Sequence, residues 1–188
     1  FEFPDSLRID IYTEVLNWYM NPFNRDYSNT LELDVAGVPH VFAWGGLHGA
    51  IPKYHGEGWF VNVDVASYYP SLMLVYKWLS RNVHDPSKYA EIYHTRLKLK
   101  AEKNPMQQPY KIVLNSTYGA MKDKHNAMYD PRQANNVCVG GQLHLLDLIE
   151  RLEDHCEIIQ SNTDGILVNL RRYEDFEMLD DRCWEWEK

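Results

Sequence analysis

The sequence predicts an α/β (α+β) fold in which an antiparallel-rich sheet carries an acidic site and an antiparallel pair of basic helices is added to it. Three observations carry that expectation. The apolar run Trp59-Phe60-Val61-Asn62-Val63 delivers Asp64 at its end, and Asp164 stands between Glu157-Ile158-Ile159 and Ile166-Leu167-Val168. Both carboxylates therefore fall at the ends of predicted buried strands. A hairpin is legible where Leu31 to Val35 and Val38 to Trp44 flank Ala36-Gly37. Between the two aspartates, helical patterns rich in Lys and Arg lie on either side of Asn104-Pro105.

In chain order, Asp5 or Ser6 can cap a first helix, with Leu7, Ile11, Val15 and Trp18 on one stripe and a stop near Pro22. Pro39 in the second strand suits a sheet edge. Gly45-Gly46-Leu47-His48-Gly49 permits a tight bend or a close backbone approach to a ligand, with a plain loop as the alternative. After the Trp59 strand, Pro70 opens a short helix to Tyr76. Lys88 to Lys103 and Tyr110 to Met121 form the helical hairpin. Gln133 to Asp154 reads as a long helix with Val139, Leu143, Leu146 and Ile149 as its buried stripe. Ile158 to Ser161 and Ile166 to Leu170 pair around Asp164, and an amphipathic last helix buries Phe176, Leu179 and Trp186.

The 188 residues suffice for one ordinary core or two subdomains, and 45% hydrophobic content argues for a folded protein. Three isolated cysteines make neither a disulfide framework nor a CxxC pair, which suggests a reducing compartment, and eight scattered histidines give no zinc spacing. No apolar stretch is long enough to span a bilayer, so no membrane partner is expected. The net charge of −8 argues against nucleic acid, but its distribution does not. His94 to Lys124 carries seven basic residues and two acidic ones, whereas Glu150 to the end carries twelve acids and five bases. The chain starts at Phe1 without a methionine, which suggests a piece of something longer.

Magnesium takes oxygen ligands, commonly one or two carboxylates plus substrate phosphates, and two such ions can serve an in-line displacement. Asp64 and Asp164 suit that chemistry; an ordinary turn or capping aspartate is the alternative for each. Lys111, Asn115 and Tyr118 share a helical face, with Gly119 beside Tyr118. Arg96, Lys100 and Lys103 share a face of the preceding helix. These cations either line a phosphate-binding cleft or form a solvated surface. Tyr68 and Tyr69 can pack beneath a sugar or base, or simply be buried.

Together these residues resemble family B DNA polymerases in a divergent, phage-like form. Asp64 to Ser71 is similar to motif A, DxxSLYPS, with Tyr68 in place of Leu, and Lys111 to Gly119 matches motif B, KxxxNSxYG, at every fixed position. Ser161-Asn162-Thr163-Asp164-Gly165 takes the place of motif C, YGDTDS. Trp44-Gly45-Gly46 stands about where the family has YxGG, with Ala43 at the tyrosine position. The resemblance spans roughly residues 40 to 170.

It implies a palm over 1–83 and 126–188 with a fingers hairpin over 84–125, and a thumb and 3′–5′ exonuclease apparently absent. The implied activity is template-directed transfer of nucleotides from dNTPs to a primer 3′-hydroxyl, as a DNA-directed DNA polymerase using two Mg²⁺ ions, with Mn²⁺ as an alternative. Asp64 and Asp164 would hold the metals, with the Val65 carbonyl and the Asn162 amide as further ligands. Ser67, Tyr68, Tyr69, Arg96, Lys100, Lys111 and Asn115 would bind the nucleotide, Lys111 also protonating pyrophosphate. Tyr118 and Gly119 would line the base-pair pocket. Asn162 departs from the family's first motif C aspartate, and Gly165 replaces its serine, giving the turn extra freedom. Expected partners are primer-template DNA, dNTPs, the missing regions and accessory replication proteins. The expected location is the cytoplasm, or that of a host for a phage protein. Activity of the fragment alone is left open. Two rivals stand beside this reading: a catalytically silent palm that binds nucleic acid or assembles a complex, and a non-templated nucleotidyltransferase.

Overall fold

The sequence's alternating and helical periodicities condense into a mixed α/β chain with one six-stranded antiparallel sheet and six α-helices, and the computed structural model describes all of residues 1–188. Two compact units share the chain: residues 3–66 with 139–188 and Phe1, and residues 67–138 with Glu2. These differ from the expected divisions at 83/84 and 125/126. The helix after Asp64 and the start of the long helix cluster with the helical hairpin.

The first unit holds the sheet, in the order β1 (Leu31–Val35), β2 (Val38–Phe42), β3 (His48–Ala50), β5 (Glu157–Asn162), β6 (Gly165–Leu170), β4 (Trp59–Asp64). Ala36 and Gly37 both take positive φ, 52° and 77°, as a two-residue hairpin whose twist matches its strands requires. Strand β3 was not expected. It is three residues long inside a glycine-rich stretch, and long-range pairing to Gln160 and Ser161 of β5 makes it a strand. Its presence corrects the edge position of Pro39, because β2 lies between β1 and β3. Pro39 is tolerated there because β3 pairs only with His40 and Val41.

The first helix is shorter than its stripe suggests: α1 is Thr13–Met20. The backbone N–H groups of Asp10, Ile11 and Tyr12 donate to the Glu150 carboxylate at 2.9 Å each, and that of Arg8 to Asp147 at 3.1 Å. Tertiary acceptors thus replace the helical ladder, and Ile11 ends up exposed. Val139, Leu143, Leu146 and Ile149 are fully buried as expected, on α5 (Pro131–Leu152). Removal of such a side chain from water contributes about 1.5–3 kcal/mol. The Gln142 amide, also buried, donates from Nε2 to the Ala43 and Gly45 carbonyls at 2.7 and 2.6 Å. In α6 (Asp175–Glu187) Leu179 is buried and the Trp186 indole donates to the His144 carbonyl at 2.7 Å. Phe176 is exposed, against expectation, although it shares a face with Leu179; it stands in the helix's first turn between Asp175 and Glu177.

The second unit contains α2 (Tyr68–Val75), α3 (Pro86–Ala101), α4 (Gln107–Lys122) and the first eight residues of α5. Helix α2 begins two residues before Pro70, which sits in its first turn where no N–H is needed. Helices α3 and α4 pack against each other as the basic hairpin. Asp130, just before α5, accepts the bidentate Arg81 guanidinium at 3.0 and 2.8 Å, and this holds its carboxyl below the usual range. No helix is long and apolar enough to cross a membrane.

Candidate functional site

In the first unit the two aspartates are brought to neighbouring strand ends by backbone alone. Strands β4 and β6 pair so that Asp64 lies opposite Gly165, and β5 turns into β6 through Thr163-Asp164 with Asn162 opposite the same Gly165. The Val65 N–H donates to the Asp164 carbonyl at 2.8 Å and locks the two ends together. A Cβ on Gly165 would stand 2.3 Å from Asp64 Oδ1 and 2.6 Å from the Val63 carbonyl oxygen. The glycine is therefore a matter of close approach; it does not lend freedom to the turn, which corrects the expectation. Gly46 is likewise closed by a side chain, since a Cβ there would meet Thr163 Oγ1 at 2.1 Å. The close approach permitted by the glycine run is to the turn itself.

Both carboxylates are exposed. Asn62, two residues back on the same strand face, donates from Nδ2 to Asp64 Oδ2 at 2.7 Å. Asn162 Oδ1 accepts the Asp164 N–H at 3.2 Å and so braces the turn. Behind it, Ser161 meets the buried His40, whose Nε2 lies 2.5 Å from the serine Oγ, while its Nδ1 contacts the Val38 carbonyl at 2.8 Å. Burial lowers the His40 pKa, consistent with a neutral ring that accepts the serine proton. Asn62 was findable from strand alternation; His40 gave no local signal.

The donor set is two carboxylates, an amide oxygen and backbone carbonyls. No group of three or more His, Cys, Asp or Glu forms a cage. That set fits a hard divalent cation that keeps part of its shell for water and phosphate, as Mg²⁺ does, better than a closed structural ion.

In the second unit, side-chain bonds join Ser67, Arg96 and Gln107. Ser67 takes a left-handed backbone (φ 51°, ψ 47°) just before α2. Its Oγ accepts a hydrogen bond from Arg96 Nη1. Arg96 Nε donates to Gln107 Oε1 at 3.2 Å. Arg96 is only 5% exposed, yet both of its acceptors are neutral. A buried guanidinium without a carboxylate is costly unless something anionic completes it. Its Nη2 makes no hydrogen bond, so that nitrogen's donors stay unused.

Tyr68 is buried, and the Tyr69 and Tyr118 rings meet edge-to-face with centroids 4.7 Å apart. Lys122 Nζ lies 5.5 Å from the Tyr118 centroid. The side chains of Lys100, Lys111 and Asn115 are exposed and make no hydrogen bond or ion pair, so they are grouped by helical face and not by contact. Gly119, inside α4, has nothing within 4 Å of the place its Cβ would occupy. Gln107 was missed, since its partner lies on another helix and no motif position marks it. Compared with known proteins, the chain matches no family model and no curated sequence.

Proposed function

We propose that the chain is a nucleotidyl-transfer module of a template-directed DNA polymerase, built as a palm with a fingers hairpin, most similar to family B. The observation that carries this reading is Arg96 of α3: a buried guanidinium held by Ser67 and Gln107 and lacking a carboxylate partner. Its chemistry calls for a phosphate chain, and the motif spellings around it say which one.

In this reading the primer 3′-oxygen attacks the α-phosphorus of a dNTP. The new P–O bond forms as the α–β bridging bond breaks, and the hydroxyl proton passes to solvent while pyrophosphate leaves. Asp64, Asp164, the Val65 carbonyl and Asn162 would hold magnesium, which when bound would supply charge neutralisation and a more acidic primer hydroxyl. Asn62 and the Val65–Asp164 backbone bond keep the carboxylates oriented. Ser67, whose Oγ accepts from Arg96, has its own proton free to donate to a phosphate oxygen. Arg96, Lys100 and Lys111 neutralise the triphosphate, and Lys111 protonates the departing pyrophosphate. The Tyr69 ring, braced by Tyr118, sits under the deoxyribose and excludes a 2′-hydroxyl. Asn115, Tyr118 and Gly119 border the nascent base pair, and the open space over Gly119 suits that role.

The polar isosteres Asp64→Asn and Asp164→Asn keep shape and remove charge. Primer extension by the protein in its full-length context is expected to fall below detection for both, with melting temperatures unchanged. Robust extension by either variant overturns the assignment. Asn162 favours one second reading, a silent palm that binds primer-template, because it brings an uncharged oxygen where a carboxylate would strengthen the metal site. An inactive parent that still binds primer-template, with no gain for Asn162→Asp, would establish that alternative.

A further inference from the structure

The Arg96 guanidinium is the most isolated buried charge in the second unit. Arg81 has the Asp130 carboxylate, whereas Arg96 has a hydroxyl and an amide. The amide comes from Gln107, the first residue of α4, and it fixes the Nε edge of the guanidinium across to α3. With Nη1 committed to Ser67 and Nε to Gln107, Nη2 is left without a hydrogen-bond partner. A glutamate at 107 would have nearly the same size and reach. It would also close Arg96 as an ion pair and remove its demand for an anion.

We infer that Gln107 is a positioning residue for triphosphate binding, which orients Arg96 from a neutral oxygen and thereby keeps its positive charge uncompensated for the phosphate chain. This rests on the reading of Arg96 as a triphosphate ligand. Gln107 supplies orientation without charge, so binding an anion completes the guanidinium and stabilises the unit at the same time.

The test uses inorganic tripolyphosphate as the probe, read by calorimetry and by the probe-induced rise in melting temperature. Parent, Gln107→Glu, Gln107→Leu and Arg96→Lys are compared. Gln107→Glu is expected to melt higher than the parent without the probe, and to bind it about tenfold more weakly or worse. Gln107→Leu should melt lower and also lose affinity, because the Nε edge is released. In primer extension, both Gln107 variants should raise KM for dNTP more than they lower kcat.

A Gln107→Glu protein that binds tripolyphosphate as tightly as the parent overturns the role of Gln107, provided that Arg96→Lys weakens binding. If Arg96→Lys binds like the parent, or the parent shows no binding, the triphosphate reading of Arg96 itself falls and the inference goes with it. A purely structural Gln107 would shift the melting temperature of the Leu variant while the probe affinity of both Gln107 variants stayed that of the parent.

Discussion

Gly165 stands so close to Asp64 that a single methyl would strike its carboxylate and the Val63 carbonyl, whereas Gly119 on α4 opens onto empty space. The two glycines belong to two differently constructed regions. Around the aspartates, position is set by the backbone: strand register, the Val65–Asp164 bond and the contact at Gly165. Around Arg96 and Tyr118 it is set by side chains touching side chains, through Ser67, Gln107 and Tyr69. A backbone-built site keeps its shape when a side chain is swapped and only its chemistry changes. A side-chain-built site changes shape with each substitution.

The largest separable effect is that of acid, because the buried neutral histidines lie in the sheet unit. Burial pushes the His144 pKa down to about 4, and lowers that of His40 as well. Such a group binds its proton more readily in the unfolded chain, so stability is full above the ordinary histidine value near 6.5 and is lost as pH falls toward about 4. For His144 the span corresponds to roughly 3 kcal/mol. In the helical unit the corresponding group is Asp130, whose carboxyl is held low by Arg81 and gives way only below the ordinary carboxylate range. Urea unfolding from pH 7 to 4 should show a steady loss of stability that His144→Leu flattens. A parent profile that is flat over this range would mean that the imidazole takes up its proton in the fold as readily as in the unfolded chain.

Gly165→Ala comes next. The added methyl has backbone on one side and Asp64 on the other, so the strand pair must part. The expected cost is about 1–3 kcal/mol of stability, measured by thermal unfolding, with extension activity lost as Asp64 is displaced. Unchanged stability would show that the β4–β6 register slips at no cost, and would dissolve the contrast between the two regions.

Much of this is legible in the sequence itself. The Ala36-Gly37 turn, the α5 stripe and the two strand-end aspartates follow from period and turn chemistry, which are local. What escaped was fixed at a distance. Strand β3 exists because β5, more than a hundred residues on, pairs with it, and α1 loses its first turns because Glu150 takes their N–H groups. The same holds within the sites. Motif spelling pointed to Asp64, Arg96 and Lys111 by residue type, but Gln107 and His40 earn their places only through a partner on another element.

Gly119→Ala gives the smallest effect on stability and the sharpest view of the difference. In the interior of a helix, alanine is favoured over glycine by about 1 kcal/mol, and here the methyl meets no atom within 4 Å. The variant should therefore melt roughly 2–4 °C higher than the parent, as a gain of that size gives in a chain of this length. If the space over α4 is where the nascent base pair lies, the same methyl intrudes on it, and extension should fall although the protein has become more stable. Stability and activity then move in opposite directions at Gly119 and together at Gly165. Higher stability with unimpaired extension would leave the open face of α4 without a ligand, and the base-pair role of Gly119 would have to be withdrawn.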